Sequence, residues 1–396
     1  MENKYKINWS GRSVDYSKEE IDTVVNTMKT ADPLTQGKYL KEFEQKFSEY
    51  LGVKNCFAVS SCTAALELAA ILSGLKKGDE VIIPAHTFCA TAIPFARTGV
   101  KIIWADIDEG TRVVSAKTIE KLITKKTKAI VVVHLYGLMA NMPEIMDLAQ
   151  KNNILVIEDC AQAIGAELKN KKAGSFGDFS CFSFHCQKSL NTLGEGGMLV
   201  VKNERSAKMV PGLRHNGVRS FEGERECFWK PAMANVDFDI DNFWPYNFCI
   251  GEVQCALGAE MLKTIDKQNA ERRQRAKKFI EALKDFPELS FQKVKEDKSH
   301  VWHLLSAKYS GKKYGKNKDD LISLLNEKYL IKAIVQYYPL YRYPIFKKAG
   351  FGEANCPNTD DFFDNMISFP FHLWMSKKDL NYMMNSTKKA LEELRK

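Results

Sequence analysis

The run Phe182-Ser-Phe-His-Cys-Gln-Lys-Ser-Leu-Asn-Thr-Leu-Gly-Glu-Gly-Gly-Met198 offers a single lysine, Lys188, between an aromatic stretch and a glycine-dense turn at Gly194 to Gly197. Burial disfavours an ammonium ion, so a lysine held there keeps a neutral amine, the form that condenses with a carbonyl to a Schiff base. A solvated lysine at the end of a strand gives the same local pattern, so the choice rests on what accompanies it. Glu158-Asp159-Cys160-Ala161-Gln162 puts an aspartate just past the apolar run that starts at Ile154. Such a carboxylate is costly to bury without a cationic partner, and a protonated pyridine nitrogen would be one. Ser60-Ser61-Cys62-Thr63-Ala64 sets small polar residues at a helix start, where backbone amides can hold a phosphate. An ordinary helix cap would read alike. Phe88, in Pro84-Ala-His-Thr-Phe88, can stack on a flat ring or can be core, and Ser183 adds a hydroxyl just before the lysine. Lysine, buried carboxylate, phosphate-holding groups and stacking aromatic are together what a pyridoxal phosphate site requires.

Those residues stand at the ends of short apolar runs, and it is the runs that must position them. Strands are expected at Cys56 to Ser60, Val81 to Pro84, Lys101 to Trp104, Ala129 to His134, Ile154 to Glu158 and Asp178 to Phe184. Helical patterns separate them at Thr63 to Leu72, Ala116 to Ile123 and Met142 to Lys151, preceded by a helix capped by Ser17 and Glu20 and another with Phe43, Phe47 and Tyr50 on one face. Unbroken β-branched runs such as Val131-Val-Val133 imply strands covered on both faces, hence an α/β fold with a mostly parallel central sheet flanked by helices. In such sheets ligands bind beyond the carboxyl ends of the strands, where the candidate residues fall. Residues 1–262 read as this large domain. Residues 263–396 read as a smaller α+β domain, opened by an amphipathic helix over Asn269 to Leu283 whose arginine-rich face is expected in water, and continued by Val301 to Tyr309, Ile331 to Gln336 and a terminal helix Leu380 to Leu394.

Composition narrows the function classes. Hydrophobic residues make up 45% and charged residues 27%, an ordinary soluble balance. The net charge of +9 is spread among 49 acidic residues, and the basic run Lys308 to Lys318 ends at Asp319 and Asp320, which suits a solvated loop better than a nucleic-acid surface. An anionic small molecule fits the excess equally well. The ten cysteines, Cys227 among them, form no Cys-x-x-Cys pair, so reduced thiols in a cytoplasmic protein are expected, with no zinc site. From Met1 onward there is no apolar leader, and no run of about 18 apolar residues, so no membrane association is expected.

Several ordered motifs bear a resemblance to one family: Ser61-Cys-Thr-Ala-Ala-Leu66, Gly78-Asp-Glu-Val-Ile-Ile-Pro84, Thr87-Phe88, Ile157-Glu-Asp-Cys-Ala-Gln162, Gly174-Ser-Phe-Gly-Asp178, Ser183-Phe-His-Cys-Gln-Lys188 and Gly194-Glu-Gly-Gly197. With them the chain resembles the DegT/DnrJ/EryC1/StrS group of pyridoxal-phosphate aminotransferases, of fold type I, over most of its length. The resemblance implies that Lys188 is the Schiff-base lysine, Asp159 pairs with the pyridine nitrogen, Gln162 lies near the ring hydroxyl and Phe88 stacks on the ring. It implies a phosphate held by Cys62, Thr63 and Ser183, with Asn247 reaching across from the second subunit of a homodimer. His185 and Tyr338 would face the substrate, His185 being equally readable as a packed strand-end histidine. The implied reaction is ping-pong transfer of an amino group from L-glutamate to a keto sugar, most simply a nucleotide-linked one.

This chain departs from the family pattern at points that bear on the acceptor. Cys62 stands where glycine is frequent, Cys249 where arginine is common, and Gln336-Tyr-Tyr-Pro-Leu-Tyr341 lacks the two histidines that often flank that segment. Two other readings stay open at this level. One is a sugar dehydratase of the same family, against which Lys188 counts because those enzymes typically carry histidine there. The other, from a different class, is a regulatory or nucleic-acid-binding protein, which would not need the lysine, aspartate and phosphate set.

Overall fold

The structure is a computed structural model and describes residues 4–218, 229–230, 232–236 and 239–396. Cys227 and the first residues of the N-terminal leader reading, Met1 to Asn3, lie outside the described residues.

The run Gly197–Val201 shows how the central sheet is built: Met198 and Val200 enter one apolar cluster while Leu199 and Val201 enter another. Side chains alternate across a strand, so a strand apolar at every position must be covered on both faces. The strands are β1 (Cys56–Val59), β2 (Glu80–Pro84), β3 (Lys101–Ala105), β4 (Thr127–Val133), β5 (Leu155–Asp159), β6 (Phe179–Ser183) and β7 (Gly197–Val201). They lie in the order β1-β7-β6-β5-β4-β2-β3. The pairs β2 with β3, β2 with β4, β4 with β5 and β5 with β6 are parallel. Strand β7 runs antiparallel to both of its neighbours, with Phe182 opposite Met198 and Ala58 opposite Met198 from the other side. The strands expected from sequence are present with ends shifted by no more than a residue or two. β7 is an addition: the glycine turn ends one residue into it, since Gly197 is its first residue.

Among the flanking helices, α1 (Lys18–Thr30) carries the expected capping box, with the Glu20 amide donating to Ser17 Oγ and the Ser17 amide donating to Glu20 Oε2. Helix α2 (Lys38–Leu51) buries Phe43 and Phe47, which pack edge-on and tilted against Phe182 and Phe184 of the lysine stretch. Truncating a ring buried in this way to alanine costs about 3–5 kcal/mol. Helix α3 (Cys62–Leu72) starts where β1 ends, and Ser61 caps it by accepting the Ala64 amide at 3.0 Å. Helix α4 (Met142–Lys151) covers the sheet between β4 and β5, and α5 (Glu252–Leu262) packs on α1 and α2. The helix expected at Ala116 to Ile123 is shorter, stopping at Glu120.

Helix α6 (Ile265–Ala282) leads to a second, antiparallel sheet of β8 (Leu289–Phe291), β9 (Leu305–Tyr309) and β10 (Met366–Phe369), in the order β8-β9-β10. Helix α7 (Lys377–Leu394) closes the chain and shares a core with α6 and this sheet. Ile7 enters the same core, and its backbone pairs with Ile331, so the N-terminal segment is tied to the C-terminal one. Residues 301–304 and 331–336 are not regular strand beyond isolated bridges; His303, Leu304 and Gln336 among them line the site, while Trp302, Ile331 and Ala333 enter the core of the second sheet. The arginine-rich face of α6 needs correction. Ile265, Asn269, Arg272, Ala276, Phe279 and Leu283 recur at intervals of four and three and are all buried, so Arg272 lies on the packed stripe and not in water.

Candidate active site

Strand β6 ends at Ser183, and the next thirteen residues form a loop that returns to begin β7. The loop is closed by its own backbone: Phe184 donates to the Gly196 carbonyl at 2.7 Å, Thr192 to Phe184 at 3.0 Å and Cys186 to Gly194 at 2.8 Å. Lys188 sits at its tip, its amide donating to the His185 carbonyl at 2.7 Å. The N-terminal segment straps the loop from outside, with the Ser13 amide on the Cys186 carbonyl and the Ser13 hydroxyl on the Lys188 carbonyl. Burial pulls the Lys188 amine below the ordinary lysine value, against the opposing influence of Cys62, Asp159 and Glu195.

Asp159 ends β5, which β6 separates from β7, and is buried. Its Oδ2 accepts the Thr91 hydroxyl at 2.7 Å and its Oδ1 the Ala161 amide at 3.1 Å. Burial pushes its carboxyl above the ordinary value, and Thr91, Ala161 and Lys188 only partly offset this. The preceding residue points to the opposite face and does different work. Glu158 accepts the Gly174, Phe176 and Gly177 amides at 3.0, 2.8 and 2.7 Å, the Ser180 hydroxyl at 3.2 Å and His134 Nε2 at 2.9 Å. His134, Glu158 and Cys160 lie close enough to hold a metal, but both Glu158 oxygens are already spent on this network, which anchors the 174–177 turn to β5.

Cys62 and Thr63 open α3, so their amides are among those with no partner inside the helix. The approach of β7 depends on a missing side chain: a Cβ at Gly197 would fall 2.4 Å from the Ser61 carbonyl carbon and 2.6 Å from the Cys62 nitrogen. The lysine loop and the start of α3 are therefore held in direct contact. Burial pushes the Cys62 thiol well up, leaving it neutral beside these amides. Ser183 accepts weakly from the His185 amide at 3.4 Å. The Phe248 carbonyl takes the Ser60 amide at 2.8 Å and so brings the loop holding Asn247 beside β1, where Asn247 Oδ1 accepts the Cys249 amide at 3.4 Å.

Two other expected residues, Phe88 and Gln162, lie on the opposite wall. Phe88 is 52% exposed and meets Tyr337 edge-on at 5.8 Å between ring centres. Gln162 is clamped, its Oε1 accepting the Tyr136 amide at 2.7 Å and its Nε2 donating to the Tyr337 hydroxyl at 3.0 Å. Tyr338, 44% exposed, turns away and packs on Tyr343 and Phe363, so its neighbour Tyr337 forms the wall. His185 faces Glu195 at 3.8 Å and contacts the Gln187 amide.

The structure adds residues that the sequence reading left out, and joins to them Gln336, which the sequence had marked as a departure in the acceptor segment. Trp9, Ser13, Arg272, His303, Gln336 and His372 share with Lys188 and Tyr337 the lining of one cavity. Burial lowers the pKa of His303 well below the ordinary histidine value, with Lys188 and Arg272 acting in the same direction, so this histidine is neutral at neutral pH. Only Arg272 carried a readable signal, its place on the apolar repeat of α6. Apart from Gln336, already marked by its departure from the family pattern, the others come from segments without periodicity. The described cysteines are free, and no described helix is long and apolar enough to cross a membrane.

Comparison with known proteins bears on the family and the fold. A family model described as the DegT/DnrJ/EryC1/StrS aminotransferase family matches residues 15–388. The chain is 33% identical over 373 residues to the spore coat polysaccharide biosynthesis protein SpsC of Bacillus subtilis strain 168, covering 94% of each chain. It is 32% identical over 395 residues to the UDP-4-amino-4,6-dideoxy-N-acetyl-beta-L-altrosamine transaminase of Campylobacter jejuni serotype O:23/36, covering 98% of this chain and 99% of that one. Among solved structures, Helicobacter pylori PseC, an aminotransferase involved in the biosynthesis of pseudoaminic acid, matches with a TM-score of 0.86 at 26% identity, covering 97% of this chain and 99% of that chain.

Proposed function

The chain belongs to the DegT/DnrJ/EryC1/StrS aminotransferase family, and from that premise we propose that it moves an amino group from L-glutamate to the keto carbon of a nucleotide-linked sugar, with pyridoxal phosphate as cofactor. The single observation that carries this reading is the convergence of Lys188, Asp159 and the start of α3 at adjoining strand ends, with the lysine amine lowered and the aspartate carboxyl raised by the same burial. The donor set suits the cofactor: a carboxylate without a full cationic partner, free helix amides beside a glycine that admits a close approach, and one desolvated lysine. When bound, pyridoxal phosphate supplies an electron sink for charge that develops on the substrate carbon.

The chain's own residues would then divide the work. Lys188 Nζ would take the proton from the donor carbon as an amine and release it again as the ammonium so formed, then run the same exchange in reverse to deliver a proton to the sugar carbon, a role that its lowered pKa favours. Asp159 keeps a proton on the ring nitrogen, and Thr91 and the Ala161 amide hold that carboxylate in place. The amides of Cys62 and Thr63 with the Ser183 hydroxyl hold the phosphate, and Phe88 covers the ring face. A homodimer in which Asn247 reaches the partner's phosphate completes the site. It is supported by the unpartnered apolar residues Ile21, Val25 and Met28 on the outer side of α1. The presence of Lys188 weighs against the dehydratase reading.

The test is to mix the pyridoxal phosphate form with L-glutamate, remove the oxo acid, and then add nucleotide-linked keto sugars. Stoichiometric amine gain by one of them, with return of the original cofactor absorbance, is the expected result. Loss of water from the sugar with no amine gained would overturn it.

A further inference from the structure

Arg272 is 1% exposed, on α6, and lines the same cavity as Lys188. Its Nη1 donates to the Trp302 carbonyl at 3.4 Å, while its Nε and Nη2 have no hydrogen-bond partner. Those two nitrogens form one edge of the guanidinium, the edge whose parallel N–H bonds match the two oxygens of a carboxylate. Leaving two donors of a charged group buried and unpaired costs more than most single interactions return, so the geometry calls for an acceptor that arrives from outside. Other buried polar atoms without partners belong to residues lining this cavity too: Trp9 Nε1, Gln336 Oε1 and His372 Nδ1. The described lining contains no aspartate or glutamate. Burial, with Arg275 nearby, draws the Arg272 pKa down to about 10, so the group is still cationic at neutral pH.

We infer that Arg272 is the carboxylate-binding residue of the amine-donor subsite, its Nε and Nη2 edge taking a donor carboxylate in a bidentate pair beside Lys188. The inference deepens the aminotransferase reading and rests on it, because an amino-acid donor must place its amine at the reacting centre while its carboxylates need a cation away from it. The diphosphate of a nucleotide sugar suits the position less well. A hexose ring separates that group from the keto carbon, whereas Arg272 and Lys188 share a single cavity.

The holoenzyme is titrated with glutarate, which has both carboxylates and no amine, and with its neutral diamide, following tryptophan fluorescence. Wild type should bind glutarate and not the diamide, and Arg272→Gln should weaken glutarate by about 100-fold, with Arg272→Lys between them. In stopped-flow half-reactions the loss in Arg272→Gln should fall on the glutamate step far more than on the keto-sugar step. L-alanine and 4-aminobutyrate, each lacking one carboxylate, identify which carboxylate is read. Equal losses in both half-reactions, or unchanged glutarate affinity, would overturn the assignment. If Arg272→Gln does not fold, the wild-type titrations decide: equal binding of glutarate and diamide, or none of either, refutes it. Glutarate binding through Arg272 in a protein that transfers no amine to any keto sugar would uphold the anion subsite while sinking the aminotransferase reading, so the two failures are separable.

Discussion

Lys188 and Arg272 are basic groups lining one cavity, and the same desolvation acts differently on each. Burial shifts the Lys188 amine toward its neutral form, whereas a guanidinium drawn down to about 10 remains a charge at neutral pH. Lys188→Ala should therefore lower amine transfer by about 10²–10⁴-fold or more, measured as single-turnover rate with glutamate, while circular dichroism stays native. The pH dependence follows with a definite sign. As pH rises through the lowered Lys188 value the neutral amine appears, so capture of pyridoxal phosphate by the cofactor-free protein should rise with pH and level off below the range of an exposed lysine. A midpoint at the ordinary lysine value would contradict the burial seen here. Lys188 and Asp159 were legible because a charged residue ending an apolar run is conspicuous. Arg272 was misread because a helix rich in arginine suggests water on that side, although its own position fell in step with Ile265, Ala276 and Phe279.

Among the elements, β5 owes its position to a residue with no chemical role in the site. Glu158 ties β5 to the 174–177 turn and to His134, and this fixes the residue beside it, Asp159. Burial alone would raise the Glu158 carboxyl, but the His134 imidazole and the Gly177 and Gly174 amides outweigh it and hold the pKa below the ordinary value. A lowered carboxyl contributes stability that is present above the unfolded-state pKa and lost as pH falls through the folded value. Glu158→Gln should thus cost about 3–5 kcal/mol near neutrality, read by urea unfolding, with the gap to wild type narrowing in acid. Helix and strand placement was largely readable from β-branched runs and the Ser17 capping box. β7 was not, because its first residue is a glycine and glycine reads as turn. What made it a strand is the space beside Ser61, a tertiary fact that no local pattern encodes.

At the scale of the whole molecule, the cavity draws on the N-terminal segment, α6 and the stretches leading into the second sheet, so no contiguous piece of chain contains it. Sequence reading placed the strand-end residues well and the residues opposite them poorly, since residues 301–304 and 331–337 have no repeat to read. If the site is also shared between subunits, two impaired proteins should repair one another. Lys188→Ala mixed with Asn247→Asp, after subunit exchange, should recover up to about a quarter of wild-type activity, since about half of random dimers are mixed and each holds one intact site. No recovery despite demonstrated exchange would place Asn247 outside the partner's site. The antiparallel β7 has a further consequence for the order of assembly. Among the described residues β1 is an edge strand whose one sheet partner is β7, Cys56 facing Val200. As the chain leaves the ribosome β1 is made early and must wait, unpaired, until residues near 200 emerge, whereas β6 and β7 meet as neighbours in sequence. The lysine loop can thus close on its own hairpin, while the start of α3 reaches it only with the long-range pairing that completes the sheet, so the two halves of the proposed site come together last, when the oldest strand finds the youngest.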